Sequence, residues 1–133
     1  MMQLEGETMS KHKNIRKKDR LIIYQKYNGH CAYCGCEIEY NDMQVDHIKS
    51  VYSNTDYKKI MTDKEMYSLE NYMPACRQCN FYKSTFDIET FRKRLTDVMI
   101  KNLQKNFNYR LAIKYGLIYE DVKPVKFYFE QFD

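Results

Sequence analysis

Tryptophan is absent from this 133-residue chain, and proline and glycine are scarce, at 2 and 4 residues. So little glycine and proline excludes a collagen-like or low-complexity chain, and an aromatic content of 15% argues against disorder. Long apolar runs are missing too. Nothing approaches the roughly 20 residues that a membrane-spanning helix needs, and mean hydropathy is -0.75. The first eight residues, Met1 to Thr8, are acidic and carry no apolar stretch, so no secretory signal is expected, and Met9 offers a second start. Without tryptophan, most of the 13 tyrosines are expected to pack a core. The length suits a single domain over 1–133, and the setting expected is cytoplasmic and reducing, with no membrane. What the chain does have is cysteine, 5 in all. In a reducing compartment such residues are more often metal ligands than disulfides.

The net charge of +4 is unevenly spread. Residues 1–26 carry +4, 37–70 carry -4, 71–110 carry +5 and 111–133 carry -1. Two basic regions therefore flank an acidic middle. The N-terminal cluster of Lys11, Lys13, Arg16, Lys17, Lys18 and Arg20 is what a phosphate backbone needs, although a solvated arm has the same composition.

Local patterns give a coarse set of elements. Ile15 to Tyr27 reads as a helix stopped by Asn28-Gly29, closing a basic arm and helix over 1–28. Glu37 to Tyr40 and Met43 to Ile48 alternate like strands of a hairpin turned at Asn41-Asp42. Residues 49–61 read as loop, and Thr62-Asp63-Lys64-Glu65 fits a capping box opening a short helix over 63–69. After Cys79, Asn80 to Lys83 reads as helix. From Asp87 the apolar residues Ile88, Phe91, Leu95, Val98 or Met99 and Leu103 recur at helical spacing. A further helix over 107–115 ends at Gly116, and Val125, Phe127 and Phe129 suggest a terminal strand, so 87–133 is a helical extension.

Cys31-x-x-Cys34 and Cys76-x-x-Cys79 are two CxxC turns. Each presents two thiolates to one ion, and together they complete the tetrahedral set of a structural Zn²⁺. A lone CxxC would equally suit a thioredoxin-like redox motif, but neither turn lies in a βαβ pattern. Gly35 leaves room for backbone amides to approach the sulfur, and Cys36 is the spare thiol. Zinc adds folding free energy directly to a small, polar chain. Four thiolates close the coordination sphere, so chemistry must come from other residues.

Between the turns lies Val45-Asp46-His47-Ile48; on a strand, Asp46 and His47 would face opposite ways. Asn71 precedes the second turn, Asn80 follows Cys79 directly, and Lys83 lies a helical turn on. The order CxxC, Asp-His-Ile, then Glu-Asn-Tyr-Met-Pro-Ala-Cys-x-x-Cys-Asn-x-x-Lys resembles the HNH endonuclease family in its zinc-knuckle form, over roughly residues 29–86. The resemblance implies an α+β fold, a small zinc-stapled ββα-metal (His-Me finger) core with flanking N- and C-terminal helices.

It also implies roles. His47 would be the general base that activates water, and Asn71 would hold its imidazole in orientation. Asp46 and Asn80 would hold the catalytic Mg²⁺ or Mn²⁺, Asn80 standing where many members carry a final histidine. Cys31, Cys34, Cys76 and Cys79 would be the zinc ligands. An imidazole with pKa near 6.5 takes a proton from water at neutral pH, and hard oxygen donors suit Mg²⁺ or Mn²⁺ better than zinc. From their charge, Arg77, Lys17, Lys18 and Arg20 are candidates to meet the nucleic acid backbone, Lys83 is either a phosphate contact or a solvated lysine, and Tyr33 and Tyr82 would stack on bases or pack the core. The expected activity is hydrolysis of DNA, or RNA, leaving 5′-phosphate and 3′-hydroxyl ends, in a bacterial or phage setting. A non-catalytic zinc module that binds nucleic acid, and a nuclease subunit silent until a protein partner arrives, are the rival readings. A monomer and a homodimer fit equally.

Overall fold

The first helix, α1 (Lys17–Gln25), ends where the sequence provides a stop: Asn28 and Gly29 both take positive φ, 54° and 78°. Gly29 N–H closes the turn on Tyr24 O at 3.0 Å, and a Cβ on Gly29 would lie 2.9 Å from the Tyr24 hydroxyl. One face of α1 is buried through Ile23, which clusters with Met43 and Tyr72 and is bordered by Ile15, Tyr24, Ile38, Val45 and Leu69. Burying Ile23 stabilises this junction by about 1.5–3 kcal/mol. This is a computed structural model, and it describes residues 14–50 and 61–132. Met9, Lys11, His12, Lys13 and most of the expected 49–61 loop lie outside the described residues.

The hairpin expected over 37–48 is replaced by a different pairing. β1 (Gln44–His47) pairs antiparallel with β2 (Tyr72–Ala75), with Gln44 opposite Ala75 and His47 opposite Tyr72. Tyr40–Asp42 forms a 3-10 turn, and Glu37 bridges back to His30 across the first cysteine turn. Two further bonds close that turn, Cys31 N–H to Cys36 O and Ile38 N–H to Gly29 O, each at 2.8 Å. Every residue of β2 is buried, so it shows no alternation, and Pro74 further obscures it as a strand. A two-stranded sheet has only edge strands, which is why a residue without an N–H is tolerated there. Pro74 still contributes, since its carbonyl accepts from Ala32 N–H at 2.8 Å.

The segment before β2 keeps the expected cap. Thr62 and Glu65 form a full capping box on α2 (Asp63–Met66), and a 3-10 turn over Leu69–Asn71 leads into β2. α3 (Arg77–Lys83) starts inside the second CxxC, earlier than the sequence suggested, with the Cys76 sulfur accepting from Cys79 N–H at 3.4 Å. β1, β2 and α3, with α3 packed on β1, are the ββα core of an α+β fold.

The described residues group into two compact units. The first comprises the described residues up to Asp87 together with those from Phe127 onward, and the second is Ile88–Lys126. In the second unit α4 (Ile88–Lys93) begins directly after Asp87 and passes through a π-helical stretch, Arg94–Met99, into α5 (Ile100–Gln104). Within the stretch the Thr96 hydroxyl reaches the carbonyls of Arg92 and Lys93, at 3.3 Å each, and competes with the regular ladder. α6 (Phe107–Lys114) is capped by Asn106, whose side chain accepts from Tyr109 N–H, and Gly116 follows at φ 71°. The expected terminal strand is not formed. Tyr128–Phe132 is a 3-10 turn whose Tyr128 and Phe129 N–H groups bond Tyr33 O and Ala32 O instead.

Candidate active site and metal centre

The two cysteine turns meet as the spacing predicted. The sulfurs of Cys31, Cys34, Cys76 and Cys79 all lie within 4.8 Å of one another, and the Cys34 and Cys76 sulfurs are 3.9 Å apart. A tetrahedron with Zn–S bonds of about 2.3 Å needs sulfurs roughly 3.8 Å apart, so the four fit zinc. Backbone donors already face this charge, since Tyr33 N–H points to the Cys31 sulfur at 3.4 Å. Four crowded thiols cannot all ionise alone. Hydrogen bonding from Cys79 lowers Cys31 to about 4, and the same contact pushes Cys79 up. A divalent cation removes that conflict. Cys36 is largely exposed and stands outside the set of four; partial desolvation and a hydrogen bond with Cys34 raise its thiol to about 12. Gly35 takes φ +80°, and its N–H bonds Cys31 O at 3.0 Å.

Asp46 and His47 end β1, are 7% and 5% exposed, and line one cavity of about 200 Å³ with Val45, Ser50, Asn80, Ser84 and Thr85. The adjacent Asp46 and His47 thus share a single hollow with Asn80, which is distant from them in sequence. Its far wall follows α3, where Ser84 takes φ 51° as the helix ends. The imidazole of His47 is bracketed edge-on by Tyr72 at 4.9 Å and Tyr67 at 5.7 Å. Asn71, 3% exposed, does not hold the ring as expected. Its amide donates to Lys49 O at 3.0 Å and Met66 O at 2.8 Å, and its carbonyl accepts from Lys49 N–H at 2.9 Å. It pins the backbone two residues beyond His47.

Lys83 also departs from expectation. Its side chain is fully buried, not turned to a phosphate, and its ammonium meets Asp46 Oδ2 at 2.9 Å and His47 O at 3.0 Å. The Tyr33 hydroxyl donates to the same Oδ2 at 2.6 Å. Tyr33 itself is 2% exposed, edge-on to Phe127 and Phe129, so it packs the core rather than stacking on bases. Burial, reinforced by the Asp46 charge, raises its phenol well above the usual range, which keeps it a donor.

Arg20 is likewise turned inward. Its guanidinium bonds Tyr40 O and Met43 O at 2.8 and 2.9 Å and lies 5.0 Å from the centre of the Tyr40 ring. Lys17, Lys18 and Arg77 are exposed. Ser50, Ser84 and Thr85 had no motif to mark them. The buried contact of Lys83 with Asp46 had one faint sign, since Asn80 and Lys83 share a helix face.

Residues 31–86 match the family described as HNH endonuclease. Over 91 residues the chain is 36% identical to YoqL, an SPbeta prophage-derived protein of Bacillus subtilis strain 168 named as an HNH endonuclease. That match takes in 65% of this chain and 36% of the relative, so the chain spans about a third of its length. Among solved structures, the Type II-C Cas9 enzyme from Actinomyces naeslundii aligns with a TM-score of 0.46 at 22% identity, over 71% of this chain and 9% of that one. Among the described residues, no helix is long and apolar enough to cross a membrane.

Proposed function

We propose that this chain is a metal-dependent endonuclease that hydrolyses DNA phosphodiester bonds. The observation that carries the reading is the shared cavity of Asp46, His47 and Asn80 beside the cysteine cluster. A phosphodiester resists attack because its own charge repels anions and its leaving oxygen is poor. His47 takes a proton from the attacking water, the water oxygen bonds to phosphorus, and the bond to the 3′ oxygen breaks, that oxygen taking a proton from solvent water. The products carry 5′-phosphate and 3′-hydroxyl ends. The Asp46 carboxylate and the Asn80 amide oxygen form a hard donor set suited to Mg²⁺ or Mn²⁺. When bound, that ion would neutralise charge on the scissile phosphate and the departing oxygen.

The remaining residues hold the two reacting groups in place. Asn71 fixes the chain leaving β1, the rings of Tyr72 and Tyr67 limit rotation of the imidazole, and Lys83 holds one oxygen of the Asp46 carboxylate in place. The four cysteines hold zinc as a staple that takes no part in the reaction. Exposed Lys17, Lys18 and Arg77 supply positive charge for the DNA backbone. The family match and the prophage relative's name support a nuclease.

The test is nicking of supercoiled plasmid with Mn²⁺, zinc-loaded wild type beside His47→Ala. Wild type should nick and the variant should lose at least about 100-fold in rate. Equal nicking by both proteins ends the role of His47, and no nicking by wild type on any nucleic acid offered ends the reading of the isolated chain as an active nuclease. The low exposure of His47 favours one second reading, a nuclease opened by a protein partner. In that case the isolated chain binds DNA without cutting and cuts only once the partner is added.

A further inference from the structure

The hydroxyl of Tyr33 links two parts of the molecule that the sequence keeps separate. Tyr33 lies between Cys31 and Cys34, inside the first cysteine turn, yet its hydroxyl ends on a carboxylate at the end of β1. The turn is fixed on three sides. Ala32 N–H bonds Pro74 O on β2, while Ala32 O and Tyr33 O accept from Phe129 and Tyr128 N–H. The ring is wedged edge-on against Phe127 and Phe129, so the hydroxyl has little freedom to move. At 2.6 Å the bond to Asp46 Oδ2 is a short, charge-assisted one. Lys83 reaches the same oxygen from α3, the helix that opens within the second cysteine turn. Each cysteine turn therefore sends one donor to one oxygen of Asp46.

We infer that Tyr33 is a positioning residue for the catalytic ion: it fixes the Asp46 carboxylate, and through it the zinc staple sets the geometry of the second metal. The inference rests on the reading of Asp46 as a ligand of that ion. Outer partners of a ligating carboxylate commonly govern metal affinity by 10–100-fold, through orientation rather than contact.

The experiment is Mn²⁺ binding to zinc-loaded protein without nucleic acid, followed by the electron paramagnetic resonance of free Mn²⁺. Wild type, Tyr33→Phe and Asp46→Asn are compared, with zinc content measured on each. Tyr33→Phe should keep one zinc per chain and bind Mn²⁺ about tenfold more weakly. Its plasmid nicking should need correspondingly more Mn²⁺ but return to within about twofold of the wild-type rate at saturation. Wild-type Mn²⁺ affinity in Tyr33→Phe, with binding lost in Asp46→Asn, overturns the role of Tyr33 and leaves Asp46 a ligand. Unchanged binding in Asp46→Asn overturns the ligand reading itself. Loss of zinc from Tyr33→Phe would make the residue part of the staple alone and likewise overturn the inference. Should that variant not fold, the wild-type protein decides. Its Tyr33 hydroxyl proton, followed by NMR, should shift when Mg²⁺ is added, and a resonance that stays put refutes the coupling.

Discussion

Replacing Lys83 by methionine isolates one charge at the centre of this site. Methionine keeps most of the stem volume, so the perturbation is loss of the ammonium rather than a cavity. In the folded chain that ammonium is fully buried, 2.9 Å from Asp46 Oδ2 and 3.0 Å from His47 O. The Asp46 side chain is itself only 8% exposed. Without Lys83 the carboxylate stays buried with its countercharge gone, and breaking a buried pair in this way costs about 3–5 kcal/mol. Asp46→Asn in the same background removes the stranded charge. The double variant should therefore be more stable than the sum of the singles by at least about 1.5 kcal/mol. Urea titrations of the zinc-loaded proteins, followed by circular dichroism, give the four stabilities of the cycle. A Lys83→Met cost below about 1 kcal/mol together with additive singles would refute the argument, because it would mean that the ion pair is solvated rather than buried.

Three further outcomes follow from the same geometry. Cys36→Ser should retain one zinc per chain and near wild-type stability, whereas Cys76→Ser should lose zinc and cooperative unfolding together; metal analysis with thermal melts distinguishes them. Asn71→Ala leaves Lys49 N–H, Lys49 O and Met66 O without their partner and should cost about 1–3 kcal/mol, with a fall in nicking rate at saturating metal and little change in zinc content. Gly35→Ala should cost about 1–2 kcal/mol from its φ of +80° alone, and more from a Cβ placed 2.7 Å from Tyr128 Cδ1; a urea midpoint equal to wild type would count against the observed turn.

The sequence determined by itself what depends on local spacing and on chemical type. Two CxxC turns could be read as one metal centre because each brings its own pair of sulfurs together, whatever the rest of the chain does. The stop at Asn28-Gly29 and the box at Thr62-Glu65 were legible for the same reason, since backbone conformation and capping act within a few residues. Asp46, His47 and Asn80 were visible as a motif order before their common cavity was known.

Tertiary structure alone decided pairing and orientation. β1 alternates well enough to invite a hairpin with its neighbour, but it pairs with a proline-containing segment some 25 residues further on, buried at every position and so without a period to detect. Lysine on a helix after the second turn reads as a surface charge until the fold seals it against a carboxylate. Asn71 and Arg20 bond to backbone carbonyls, groups that every residue carries and no side-chain pattern distinguishes. Tyr33 drew notice only for lying near the motifs; the direction of its hydroxyl, 2.6 Å from Asp46, is fixed by Pro74, Phe127 and Phe129, which come from distant parts of the chain. Which residues carry chemistry is a matter of type and spacing. Which of them touch is settled only by the packing that removes them from water.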